Sequence, residues 1–427
     1  MPIRRRPADP HSPTGAKIQS SPASSAKRVE ASSPVLRFSH LRLRNWRNFT
    51  AVDIPLAKRM FVVGPNAVGK SNLLDVFRFL RHLTVEGGGL SQAVKARRGL
   101  SRLRSLHQKG RNSDVEIEVK AIDASGGQWR YLLAFNRAGK GAREDSPVVK
   151  REEAWYRAGE AAQEDNRLKR PDALDLEDPL QYTQTAMEQV AKSRSFRALK
   201  DFFASVTYLH LVPQLIREEQ LPPENAIGGD LYGRDLLFRI RATPTRSQEA
   251  RLARIRDALK LAVPNLNELE LVLDKDTSRP HLQAAFVHWR GPAAKQDERE
   301  FSDGTLRLIG LLWALQEPAG PLLLEEPELS LHSGIVRHLA PFIARAQRGP
   351  AGRQAFVSTH NDLLMSDPGI SADEVLLVRP VNEGSVVIHG ASQPDIRRAL
   401  QNGLTPADVV MPMTAMSQID LFAELEV

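Results

Sequence analysis

The eight residues Gly64-Pro65-Asn66-Ala67-Val68-Gly69-Lys70-Ser71 complete a G-x-x-x-x-G-K-[ST] pattern, and no other stretch of the chain constrains its fold as tightly. An apolar run, Met60-Phe61-Val62-Val63, precedes the pattern and is short enough to be a buried strand. The segment Asn72–Leu80 follows, with Leu73, Phe77 and Leu80 on one helical face. Strand, glycine loop and helix are the context in which such a loop holds phosphate. Gly64 and Gly69 let the backbone curl so that successive N–H groups point at an anion. The new helix turns its positive end to the same place. Lys70 is placed to reach the β- and γ-phosphates, and the Ser71 hydroxyl to ligate Mg²⁺. The expected ligand is therefore ATP with Mg²⁺.

Leu322-Leu323-Leu324-Glu325-Glu326-Pro327 is a second apolar run, ending in two carboxylates. A buried parallel strand would deliver them to the carboxyl edge of its sheet, where nucleotides bind. Glu325 is then expected beside Ser71 at the metal, and Glu326 as the base that activates the attacking water. The same residues also fit a solvated acidic turn after a core strand. Phe356-Val357-Ser358-Thr359-His360 repeats the design, and a histidine there can donate a hydrogen bond to the γ-phosphate or to the water.

The chain has 427 residues and 41% apolar content, enough for two or three domains or for one α/β core with a large insertion. It has no cysteine, which excludes a disulfide scaffold, a thiolate metal site and a cysteine nucleophile, and fits a reducing, cytoplasmic setting. No apolar run reaches 18 residues, so no membrane span is expected.

The net charge is +8 and the pI about 9.7. Half of that charge lies in residues 1–34, where Arg4, Arg5, Arg6, Lys17, Lys27 and Arg28 face only Asp9 and Glu30. This Pro- and Ser-rich segment is expected to be a disordered basic tail. Between Ser91 and Arg111 stand Lys95, Arg97, Arg98, Arg102, Arg104, Lys109 and Arg111 with no carboxylate. Such a run is either a DNA-phosphate surface or a solvated basic helix.

Ordered structure is expected to begin at 35–38, with strands at 41–44, near 51–54, at 115–119 and 129–135 as a hairpin, and at 147–150, 269–273 and 282–287. Helical patterns cover 185–205 and 246–262. The last third alternates: helix 305–316, strand 321–325, helix 334–348, strands 354–359 and 375–379. That alternation predicts an α/β fold with a mostly parallel sheet. The expected divisions are an N-terminal lobe at 35–140, an insertion at 141–290 that is helical with strands, a C-terminal lobe at 291–390 and an extension at 391–427.

Taken in order, the motifs resemble the ABC/SMC-type ATPase heads, and within them the RecF-like and OLD-like AAA ATPases of bacterial repair and antiphage defence. Leu43-Arg44-Asn45-Trp46-Arg47-Asn48-Phe49 resembles the family's entry into its first β-layer. Phe301-Ser302-Asp303-Gly304-Thr305-Leu306-Arg307 resembles its signature motif, Glu325–His332 its Walker B and D-loop, and Ser358-Thr359-His360-Asn361 its switch loop.

The resemblance implies a P-loop head with a mostly parallel central sheet, an antiparallel β-layer and a helical insertion. It also implies an ATP-driven homodimer in which Ser302 and Gly304 contact the γ-phosphate held by the opposite protomer. Read alone, Ser302-Asp303-Gly304 is equally an ordinary helix cap.

The function implied is an ATPase that acts on DNA or controls a partner effector, a nuclease or toxin, in DNA repair or antiphage defence. The alternative is a slow ATP-binding sensor that clamps a partner protein. Three departures stand out: Ala67-Val68 in the loop, Glu325 where aspartate is commoner, and only Gln92, by position, as a candidate for the family's switch glutamine. The residues after Ala391 are too few for the TOPRIM nuclease domain of OLD-type relatives.

Overall fold

The computed structural model describes residues 35–107, 113–137, 146–218, 230–260, 263–288, 291–317, 320–348 and 352–414. The basic segment 1–34 and the cations Lys109 and Arg111 lie outside these residues. Three sheets organise the described residues.

The first is antiparallel, with strands β1 (Arg37–Trp46), β2 (Phe49–Pro55), β4 (Val115–Ile122), β5 (Gln128–Arg137), β6 (Pro147–Arg157) and β7 (Asp165–Arg170) in the order β2-β1-β4-β5-β6-β7. The boundary expected at residue 140 falls inside this sheet, because β6 pairs with β5 along its length. Inward residues alternate along β4, as a strand with one covered face requires, whereas β5 is buried continuously from Tyr131 to Asn136. Val115, Ile117, Val119 and Ala121 are buried, while Glu116, Glu118 and Lys120 are not.

The second sheet is mostly parallel. Its strands are β3 (Arg59–Val63), β8 (Thr207–Leu209), β12 (Leu322–Glu325), β13 (Ala355–Thr359), β14 (Val375–Val381) and β15 (Gly384–His389), ordered β15-β14-β3-β13-β12-β8. Only β15 runs antiparallel to its neighbour. Both faces of the inner strands β3, β12 and β13 are covered, so these are nearly continuous buried runs. Met60, Val62, Leu323 and Phe356 face one core, which they share with the antiparallel sheet. Phe61, Val63, Leu322, Leu324 and Val357 face the other. The third sheet is a small antiparallel one, β11-β10-β9, built from β9 (Leu266–Leu273), β10 (Pro280–His288) and β11 (Gly291–Asp297).

Helices fill the faces. α1 (Lys70–His82) lies between the two large sheets, where Phe77 meets both Phe38 and Phe356 at centroid distances of 4.7 Å. Short helices α2 (Leu90–Lys95) and α3 (Leu100–Leu103) follow it. The region expected to be helical with strands holds α4 (Ala173–Glu177), α5 (Arg197–Ala204), α6 (Pro213–Arg217), α7 (Leu236–Ala242) and α8 (Thr245–Leu259). The helix expected over 185–205 is confined to α5 and a preceding 3-10 turn at Lys192–Phe196. Residues 185–188 form a turn instead, because the Glu188 carboxylate accepts from the Thr185 amide at 2.7 Å and the Leu90 amide at 2.9 Å.

α9 (Asp303–Gln316) and α10 (Ser333–Ala346) cover the second face of the parallel sheet. α11 (Pro394–Gln401) and α12 (Pro406–Val409) form the described part of the C-terminal extension. Gln354 ties the two large sheets together. Its amide accepts from the Phe38 N–H at 2.8 Å and donates to the Phe38 and Ala57 carbonyls at 2.7 Å.

Candidate functional site

The parallel register brings three motifs to one edge. Val63, the last residue of β3, pairs with Thr359 at the end of β13, and Glu325 at the end of β12 pairs with Ser358. The phosphate-loop pattern, both carboxylates and His360 therefore leave the sheet side by side.

The loop from Gly64 to Gly69 is shaped by close approaches that only glycine permits. Gly69 has φ +109°, and a Cβ there would stand 2.2 Å from Asn48 Nδ2. At Gly64 a Cβ would fall 2.5 Å from the Val378 carbonyl oxygen. Asn48 clamps the loop from outside. Its Nδ2 donates to the Val68 carbonyl at 2.7 Å, and its Oδ1 accepts from Asn72 Nδ2 at 2.8 Å. Ser385 Oγ donates to the same Val68 carbonyl at 2.8 Å. The Trp46 indole N–H donates to the Asn72 carbonyl at 2.8 Å, so the Asn45–Phe49 turn grips the first turn of α1.

Lys70 is buried and curls back over this loop, its ammonium donating to the Gly64 carbonyl at 2.9 Å and the Pro65 carbonyl at 3.0 Å. Burial lowers its pKa, and the nearby Glu326, Glu328 and Glu325 charges oppose that shift. A cation tied only to carbonyls, at the mouth of a glycine cradle and a helix N-terminus, fits a polyphosphate. Pro65, Asn66, Ala67 and Val68 supply the rest of the loop, and Ala67 stands at φ +61°.

The Ser71 hydroxyl donates to Glu325 Oε1. Burial pushes the Glu325 carboxyl up, and the charge of Glu326 adds to this, against the Ser71 hydrogen bond and the Arg78 and Lys70 charges. One hydroxyl and one carboxylate suit Mg²⁺, which takes few protein ligands and completes its shell with water and substrate phosphate. Among the described residues no group of three His, Asp or Glu forms a separate metal cluster.

Glu326 follows at φ +44°, a left-handed conformation that a non-glycine residue rarely holds without a local reason. Its amide donates to the Ser358 carbonyl at 3.0 Å, and its Oε1 lies 3.0 Å from His360 Nδ1. The acid thus turns away from the strand axis and toward the histidine of the neighbouring strand.

Ser302 and Gly304 belong to a different surface. Ser302 caps α9, its Oγ accepting from the Thr305 amide at 3.2 Å. Gly304 packs on the turn after Pro327, where a Cβ would stand 2.7 Å from the Ser330 carbonyl oxygen. Their contacts are with Thr305 and Ser330 rather than with the phosphate loop of their own chain. Gln92 lies exposed on α2.

The basic run divides. Lys95, Arg98 and Arg102 are exposed, and Arg104 is half-buried. Arg97 is not a surface cation. It is 6% exposed, and its guanidinium makes two hydrogen bonds to the Asp75 carboxylate, at 2.7 and 2.8 Å, and a third to the Asp75 carbonyl at 3.3 Å. Asp75 lies on α1 and also receives Arg47 at 2.7 Å. The expectation that Arg97 meets DNA phosphate is corrected on this ground: its charge is spent on a buried carboxylate.

Sequence reasoning left three site residues without a role. Asn48 and Glu328 stood inside quoted motifs, but nothing in their spacing announced their partners. Thr359 likewise stood inside the Ser358–Asn361 motif, beside His360, with no partner assigned.

The layered sheets, the glycine cradle and the strand-end carboxylates define a P-loop ATPase head of the ABC/SMC type. The family model described as "AAA domain, putative AbiEii toxin, Type IV TA system" matches residues 59–366, and the chain belongs to that family. No curated protein matches the chain significantly. Among solved structures, the SMC head bound to the C-winged helix domain of ScpA superposes with a TM-score of 0.50 at 18% identity, over 82% of this chain and 97% of that one. The SMC head with an extended coiled coil, bound to the C-terminal domain of ScpA and derived from Pyrococcus furiosus, gives a TM-score of 0.46 at 15% identity, over 83% and 96%. No helix among the described residues is long and apolar enough to cross a membrane.

Proposed function

We propose that this protein hydrolyses ATP to ADP and phosphate in the head of an ATP-dependent homodimer. The observation that carries the reading is the pairing of Glu326 with His360, 3.0 Å apart, at the ends of β12 and β13, the next two strands of the sheet beyond β3, which delivers the phosphate loop. Gly64–Ser71 would hold the triphosphate, with the Lys70 ammonium exchanging its loop carbonyls for phosphate oxygens. Ser71 and Glu325 would hold Mg²⁺, which supplies charge neutralisation for the transferred phosphoryl group. Glu326 would accept the proton of the attacking water, and His360 would fix the carboxylate that does so.

Ser302, exposed at the N-terminus of the 14-residue α9, would bind the γ-phosphate held by the second protomer together with Gly304. The toxin–antitoxin wording of the family description supports a role in antiphage defence, in which the dimer controls a partner effector. Exposed Lys95, Arg98 and Arg102 support DNA as the alternative target, with repair as its setting. Nothing in the site calls for a membrane or a reaction outside the cytoplasm.

Phosphate release by the purified protein, with Lys70→Ala as the control, tests the reading. Turnover that depends on Mg²⁺ and disappears in the variant is the expected result. ATP binding without turnover would replace the ATPase with a nucleotide sensor that clamps a partner.

A further inference from the structure

Behind the Glu326–His360 pair lies a buried polar cluster that hydrolysis as described does not use. Glu328 is 4% exposed. Its Oε1 accepts a 2.6 Å hydrogen bond from Thr359 Oγ1, while its Oε2 is buried with no hydrogen-bond partner among the described residues. Thr359 is itself fully buried at the end of β13, and its Oγ1 accepts from the Asn361 amide at 3.0 Å. Asn361 Oδ1 in turn accepts from the Leu363 and Leu364 amides at 2.9 and 3.3 Å. This ladder of hydrogen bonds sets the loop that carries His360.

The same glutamate also organises the opposite side. Its backbone carbonyl accepts from the Leu331 amide at 3.1 Å, closing a turn in which Ser330 stands at φ +62°. The Ser330 carbonyl is the atom against which Gly304 packs. Arg307, three residues further along α9, is buried, with its Nε unpartnered among the described residues. The charges of Asp303, Glu328 and Glu326 offset that burial. Burial likewise pushes the Glu328 carboxyl up, against the Thr359 hydrogen bond. A buried carboxyl left half-satisfied is costly, and it persists where the surrounding structure needs its remaining bonds.

We infer that Glu328 is a positioning residue that joins the switch loop bearing His360 to the turn supporting Gly304, so that the hydrolytic pair and the signature face are held as one unit. The inference rests on the proposed ATPase reading and adds a named residue to it. Glu328 touches neither substrate nor metal in this scheme. It acts through Thr359 on one side and through the Ser330 turn on the other.

Three variants test it: Glu328→Ala, Thr359→Val and Glu328→Gln, the last retaining an acceptor for the Thr359 hydroxyl. In Glu328→Ala and Thr359→Val, kcat should fall about tenfold to a hundredfold, the range of one lost buried hydrogen bond. ATP affinity, measured separately with a labelled analogue, should stay within about threefold, because the phosphate loop is untouched. Glu328→Gln should retain most of the rate. Hydrogen exchange in nucleotide-free protein supplies a readout apart from turnover. The Asn361, Leu363 and Leu364 amides should exchange faster in the Ala and Val variants and at the wild-type rate in Glu328→Gln.

Unchanged exchange in both Glu328→Ala and Thr359→Val would overturn the inference. So would a Glu328→Gln variant as impaired as Glu328→Ala, since the charge rather than the hydrogen bond would then matter. If wild type itself does not hydrolyse ATP, the ATPase reading fails, and the exchange result alone decides whether Glu328 holds the loop. If Glu328→Ala does not fold, Thr359→Val carries the test.

Discussion

His360 Nδ1 stands 3.0 Å from Glu326 Oε1 and joins the ends of two parallel strands, β13 and β12. The contact keeps the acid turned toward the face the γ-phosphate would occupy. Replacing the histidine by alanine should lower kcat roughly a hundredfold, within the range for general acid–base positioning, and leave ATP affinity nearly unchanged. Steady-state phosphate release against a direct binding isotherm separates the two effects. A loss confined to affinity would place His360 in binding rather than hydrolysis.

Lys70→Ala should abolish ATP binding without unfolding the chain. The lysine's present partners are only the Gly64 and Pro65 carbonyls, and the loop keeps its Asn48 and Ser385 clamps without it. Equilibrium binding of a labelled ATP analogue checks this, with circular dichroism as the control for folding.

The Arg97–Asp75 pair makes a prediction about stability. Arg97→Ala would leave Asp75, 7% exposed, with only the outer Arg47 and Arg78 charges, at a cost of about 3–5 kcal/mol. Urea unfolding should show the midpoint shift, and a shift of less than about 1 kcal/mol would mean that Arg47 alone suffices.

Acid should destabilise the same region in two windows. Burial, with the charges of Arg97 and Arg78, lowers the His82 pKa from 6.5 to about 3. Between those values the unfolded chain binds a proton that the folded chain refuses, so stability falls as pH drops through that window. Asp75 acts lower down. Burial pushes its carboxyl up, but Arg97, Arg47 and Arg78 prevail and hold it below its ordinary 3.8, so its contribution is lost only below that value. His82→Gln should flatten the upper window and leave the lower one, as read from urea midpoints across pH.

Much of the site could be read before the structure. Glu325, Glu326 and His360 close apolar runs, and Ser71 closes the glycine loop that follows another; a run covered on both faces has one place to put its last polar side chain. The basic segment misled for the opposite reason. Arg97 is one cation among seven, and its partner Asp75 stands 22 residues earlier, on the helix after the phosphate loop, so nothing local pairs them. Strands β7, β8, β11 and β15 were missed as well, β7 because its sequence is Asp-Asn-Arg-Leu-Lys-Arg and β8 because three residues carry no period. Pairing along a neighbour's edge, not local pattern, makes them strands.

If DNA is the target, replacing Lys95, Arg98 and Arg102 with alanine should weaken binding across sequences alike. Three lost phosphate contacts would reduce the log–log salt slope by roughly three units. Fluorescence anisotropy on duplex DNA from about 50 to 200 mM salt measures it, and an unaltered slope would remove this surface from consideration.

Glu326 is proposed to activate water at a site that binds ATP independently of it. Single-turnover hydrolysis by wild type and Glu326→Gln, with ATP binding and solution mass measured on the same samples, tests this most directly. The expected result is equal ATP affinity, at least about a hundredfold slower hydrolysis, and an ATP-bound dimer that accumulates in the variant and dissociates when Ser302→Arg is added. Hydrolysis by Glu326→Gln at the wild-type rate, or slowed turnover in Glu325→Gln alone, would contradict it.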